Sequence, residues 1–187
     1  MTPNEKLFNF ILKNEKRLGF RALLYLAETE EQIIQVVKAY PFAVEIIENP
    51  SEAVQIAAVK SNWEVWNKIK NPCDAVLEEA ISCNADIYFK IKDPTEKMAI
   101  VALNRNPRII DQIKDPTVNM MMAVIEKDPT LIRVIKNPPM EVQKKAVLKY
   151  IESYNVEATY MVINHCPDIQ EFSQEVCDHL TIKDIIE

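Results

Sequence analysis

The chain has 187 residues, 48% hydrophobic and 27% charged, with a formal net charge of −6. The length allows one domain or a small pair, the composition is that of an ordinary globular protein, and no uncharged stretch approaches the length that spans a bilayer. A single glycine, Gly19, excludes glycine-rich phosphate loops, dinucleotide-binding turns and β-rich folds, which need several residues at positive φ or in close backbone approach.

Glu5 and Lys6 stand where a secretory signal needs an apolar run. Four cysteines, Cys73, Cys83, Cys166 and Cys177, read as reduced thiols rather than a disulfide framework. A cytoplasmic protein without membrane contact is the expectation.

In chain order, the first elements are two helices within residues 1–26, marked by Leu7, Phe8, Ile11 and Leu12 and then by Leu23, Leu24 and Leu26. They read as an N-terminal cap. From Ala27 a modified unit follows, with Val36, Val37, Pro41, Ala43 and Ile47 in register with what comes next. Then five dipeptides, Asn49-Pro50, Asn71-Pro72, Asp93-Pro94, Asp115-Pro116 and Asn137-Pro138, recur every 22 residues. A fixed period of roughly 20–50 residues marks a solenoid, whose units cannot bury their apolar faces alone and must stack.

Each unit opens Asn/Asp-Pro followed by Ser51, Cys73, Thr95 or Thr117. Here Asn or Asp is expected to cap a helix, with Pro at its first position and Glu52, Asp74 or Glu96 completing a capping box. Apolar residues then fall on one helical face: Val54, Ala58 and Val59; Val76, Ala80 and Ile81; Met98, Ala102 and Leu103; Met120, Val124 and Ile125. A second polar residue, Asn62, Asn84, Asn106 or Asp128, ends that helix and caps a shorter one, whose core positions are Val65 and Ile69, Ile87 and Ile91, Ile109 and Ile113, or Leu131 and Ile135. Helices of about eleven and about seven residues are predicted, rods of roughly 16 and 10 Å. The recurring alanine (Ala58, Ala80, Ala102, Ala146) allows close helix approach.

The unit at Asn137 is cut short, because residues 156–172 match 118–134 at an offset of 38 rather than 44. A divergent repeat and a terminal helix are expected over 153–187. The prediction is a single all-α domain over 1–187, an α-solenoid of about seven short two-helix repeats in the HEAT-like style, with 27–152 carrying the 22-residue units.

Residues 49–60, Asn-Pro-Ser-Glu-Ala-Val-Gln-Ile-Ala-Ala-Val-Lys, resemble a repeat of otherwise hypothetical proteins from bacteriophages, giant viruses and some bacteria. The closing Ile-Lys-Asn/Asp-Pro at 69–72, 91–94, 113–116 and 135–138 is that repeat's second signature. The resemblance covers 27–152 and implies a helical-repeat fold, a phage or viral source, and no catalytic residues to carry over.

Trp63, Trp66, Tyr88 and Phe89 cluster on the short helices of adjacent units. Trp66 and Tyr88 align with Ile110 and Ile132 and read mainly as core. Trp63 and Phe89 stand where other units carry Pro, Ala or polar residues, so the repeat does not require them; exposed aromatics of this kind anchor partners. Charge is segmented: residues 105–149 hold nine Lys/Arg against five Asp/Glu, whereas 28–52 hold six acids to one base and 152–187 eight to one. Lys70, Lys92, Lys114 and Lys136 share one repeat position, a column that either complements helix ends or meets a polyanion. His165, Cys166, Cys177 and His179 have zinc-ligand chemistry but no zinc-site spacing, so no metal and no cofactor is predicted.

No nucleophile with a base, carboxylate pair or metal motif stands out, and the chain reads as a non-enzyme. The leading expectation is a protein-binding scaffold using Trp63, Phe89, Trp66 and Tyr88, by resemblance a phage protein that binds and inhibits a host macromolecular complex in anti-defence or host takeover. The alternative is a nucleic-acid-binding repeat protein using Arg105, Arg108, Lys114, Arg133 and Lys136.

Overall fold

The computed structural model describes residues 1–14, 19–152 and 165–166. It is an all-α helical-repeat array of the solenoid class, with no strand among the described residues. The chain divides into two compact units, Met1–Ile87 and Tyr88–Glu187.

The first unit contains α1 (Pro3–Asn14), α2 (Gly19–Leu26), α3 (Glu30–Ala39), α4 (Glu52–Ser61) and α5 (Asp74–Cys83), with 3₁₀-helices η1 (Pro41–Ile46) and η2 (Trp63–Lys68). A third, η3 (Ala85–Lys90), follows α5. The second unit continues with α6 (Glu96–Arg105), η4 (Pro107–Gln112), α7 (Val118–Lys127), η5 (Pro129–Val134) and α8 (Met140–Glu152). Within each unit consecutive α-helices pack on one another, and four of the 3₁₀-helices are wedged between the α-helix before and the one after: η1 between α3 and α4, η2 between α4 and α5, η4 between α6 and α7, η5 between α7 and α8.

The short helix of each repeat is thus 3₁₀ rather than α. Six residues lie between a polar cap and an Ile-Lys-Asn/Asp-Pro stop, a length at which i→i+3 bonds such as Ile69 N to Trp66 O close the turn. The cap itself is where the spacing put it: Asn62, Asn84, Asn106 and Asp128 side chains accept from the backbone N–H two residues on, at 3.0, 3.0, 3.2 and 3.0 Å. Pro107 and Pro129 occupy the first turn, where no N–H is needed.

The start of the longer helix differs from expectation. Its cap is the hydroxyl residue after proline: Ser51, Thr95 and Thr117 accept from Val54, Met98 and Met120 N–H at 3.4, 3.2 and 3.3 Å. Asp93, Asp115 and Asn137 have φ of 55°, 51° and 48°, so they form a left-handed turn that short polar side chains tolerate, not the extended cap geometry. The expected capping box is therefore absent from these units. The first-turn acids instead reach the next repeat's cap: the Ser51 hydroxyl donates to Glu30, and the Thr117 hydroxyl donates to Glu96 at 2.5 Å. Cys73 makes no side-chain cap bond.

The predicted core positions of α4 to α7 are all buried, as are Val65, Ile69, Ile87, Ile109, Leu131 and Ile135. Ile91 and Ile113 are half-buried. In the N-terminal helix pair Phe8, Ile11 and Leu23 are buried while Leu7 is exposed. The modified early repeat begins with a full capping box of Thr29 and Gln32, a device the missing Asn/Asp-Pro had hidden.

Candidate functional site

The short helices and the bends after them carry every candidate residue but Arg105, which ends α6. In η2, Trp63 and Trp66 are half-buried. In η3, Phe89 is 43% exposed, and its ring meets Tyr88 edge-on with centroids 5.2 Å apart. Tyr88 is half-buried, and burial pushes its phenol above the ordinary range. The two aromatic pairs belong to different units, Trp63 and Trp66 to Met1–Ile87, Tyr88 and Phe89 to Tyr88–Glu187. Sequence reading missed Phe42 and Ile46 on η1, each 44% exposed. A signal existed: Phe42 aligns with the polar residues Glu64, Asp86, Arg108 and Thr130.

Arg105, Arg108, Lys114, Arg133 and Lys136 all lie in the second unit, all exposed. None has an ion pair or side-chain hydrogen bond among the described residues. Lys114 and Lys136 line one groove of about 450 Å³, together with Asp111, Asp115 and Asn137. By contrast the carboxyl of Glu126 on α7 is lowered from its ordinary range by hydrogen bonds from Lys149 and Lys145, at 2.6 and 3.2 Å. The basic character of the second unit is thus partly neutralised on α8 and left open on the groove side.

The first unit has a matching groove of about 410 Å³. All eleven of its lining positions recur 66 residues later in the second unit's groove, three repeat periods on. Glu45 corresponds to Asp111, Glu48 to Lys114, Lys68 to Val134, Lys70 to Lys136 and Gln55 to Met121. Gln55 is 9% exposed; its Nε2 donates to the Pro50 carbonyl at 2.8 Å, and its buried Oε1 has no hydrogen-bond partner among the described residues. The same brace recurs where Gln143 Nε2 meets the Pro138 carbonyl at 2.7 Å. The alignment held the clue, because the three units between these two place Leu77, Ala99 and Met121 there.

Cys166 is buried, its Sγ 3.8 Å from the Gln143 carbonyl, and His165 is exposed; Cys177 and His179 lie outside the described residues. Among the described residues no three His, Cys, Asp or Glu side chains are grouped to hold a metal ion, and no helix is long and apolar enough to cross a membrane. No protein-family model, curated protein or solved structure matches the chain.

Proposed function

We propose that the chain is a non-catalytic repeat scaffold that binds another protein, with the Phe89 ring as an anchor. The observation that carries this reading is an aromatic side chain 43% exposed at a position where the other units place Glu45, Asn67, Asp111 and Arg133. The repeat does not require an apolar residue there, and the exposed part of the ring contributes nothing until a partner desolvates it. Trp63, a half-buried departure from Pro41, Ala85, Pro107 and Pro129, supports the same reading in the first unit; Trp66 and Tyr88 back their neighbours. The resemblance to phage and viral repeat proteins makes the partner a host macromolecular complex in the cytoplasm, which the chain would block by occupying its surface. Capture from bacterial lysate with nuclease present, comparing the native chain with Phe89→Ala, tests it. A stoichiometric protein retained by the native chain and lost by the variant is expected; equal retention by both would overturn the assignment.

A second reading rests on a separate observation, five exposed cations of the second unit that make no ion pair among the described residues. If Arg105, Arg108, Lys114, Arg133 and Lys136 track phosphates, binding to single- or double-stranded DNA falls steeply with salt. Binding that ignores salt, or no binding at low salt, removes this reading.

A further inference from the structure

The first unit's groove carries an unanswered hydrogen-bond acceptor. Gln55 spends its donor on the Pro50 carbonyl and leaves Oε1 buried and unpaired, a state native proteins avoid because the oxygen has given up water for nothing. Turning the amide over does not help, since it would set oxygen against oxygen. Glu45 and Glu48 line the same groove, and neither carboxylate has an ion pair or hydrogen bond among the described residues. Lys68 and Lys70 line the same groove, exposed and without an ion pair or hydrogen bond among the described residues.

The second unit's groove serves as an internal reference. It keeps the same eleven positions but has Met121 for Gln55 and Lys114 for Glu48, so of the two grooves only this one carries the amide acceptor and the second carboxylate. Both departures add acceptors on one side of the groove. Lys68 in place of Val134 adds a donor on the other, which suits a carbonyl rather than a second cation. We propose that this groove takes a segment of a partner protein presenting a basic side chain, whose N–H donors meet Gln55 Oε1 and the carboxylates of Glu45 and Glu48 while its main-chain carbonyl faces Lys68. This rests on the reading of the chain as a protein-binding scaffold and adds a second contact surface with a stated chemistry.

The test is a titration of the ¹⁵N-labelled chain with N-acetyl-arginine N-methylamide, following the Gln55 side-chain amide and the backbone amides of 44–71, with the norleucine analogue as the uncharged control. Saturable shifts with the arginine compound alone are expected, weakened roughly fivefold or more in Gln55→Met and in Glu48→Lys. Both substitutions place a residue that the second unit already carries, so thermal midpoints near that of the native chain verify the fold. No shift at Gln55, equal shifts with norleucine, or unchanged affinity in both variants would overturn the proposal. Phe89→Ala should leave the titration untouched. If the titration fails while Phe89-dependent protein capture persists, the groove assignment alone is wrong; if capture fails and the titration holds, the anchor assignment alone is wrong.

Discussion

The two grooves, one in residues 44–71 and one in 110–137, are the same piece of architecture with different chemistry. Ile47 and Ile113, Pro50 and Pro116, and Ile69 and Ile135 recur in both. Gln55 and Met121, Glu48 and Lys114, and Lys68 and Val134 do not. A repeat fixes apolar side chains and turns because each unit must stack on the next, and it leaves the groove walls free to vary. Departures from the repeat are therefore where function is to be sought.

That comparison can be broken at several levels. The shared architecture predicts the largest effects: Ile81→Ala in the first unit and Ile125→Ala in the second remove fully buried side chains at one repeat position and should each cost about 2–5 kcal/mol in denaturant unfolding. Costs differing by more than that spread would deny that the two places are equivalent. Overpacking the alanine column, with Ala58→Leu or Ala102→Leu, should cost about 1–3 kcal/mol in either unit.

Next comes a difference in the turns. Asp115 has φ of 51°, whereas Asn49 is not among the residues at positive φ. A β-branched residue is strained only in the left-handed region, so Asp115→Val should lose about 1–2 kcal/mol and Asn49→Val much less. Equal losses would show that the turns do not differ. The caps sharpen the point: Thr117→Ala should cost about 1 kcal/mol, while Cys73→Ser supplies the hydroxyl missing at the equivalent place and should raise stability by about 0.5–1 kcal/mol.

The smallest effect concerns Glu126, exposed on α7. Lys149 and Lys145 lower its pKa in the folded state, so its contribution is present above the ordinary carboxylate range and is lost as pH falls through the depressed folded value. Glu126→Gln should lower the thermal midpoint slightly at pH 7. The difference should vanish in acid and shrink with salt, because exposed pairs are screened. A difference that grows in acid would contradict the pairing.

Much of this architecture was legible in the chain. The 22-residue period and the four-and-five spacing of apolar residues located the core of α4 to α7, because burial of one helical face leaves a direct mark on sequence. The start of each longer helix was misplaced by two residues because Asn/Asp-Pro fits both a capped helix start and a turn ahead of the helix, left-handed at Asp93, Asp115 and Asn137. Only backbone geometry separates them, and here the hydroxyl of Ser51, Thr95 or Thr117 does the capping. The 3₁₀ character of the short helices was hidden for a similar reason, since six residues are too few for periodicity to distinguish i→i+3 from i→i+4 bonding. At the candidate sites, Phe89 stood out as a departure from a polar column. Gln55 did not, although the next three units carry Leu77, Ala99 and Met121 at its place, because its role lies in which amide atom is paired.

On the proposed reading the repeat supplies the scaffold and its departures supply the binding surface. Phe89→Asp tests this most directly, because Asp111 already occupies the equivalent place in η4, so the substitution returns η3 to a residue the repeat accepts. Thermal unfolding and nuclease-treated protein capture would be measured on the same preparation. An unchanged midpoint with lost capture is predicted; a lowered midpoint with capture intact would mean that the ring holds the fold together and that the partner, if any, sits elsewhere.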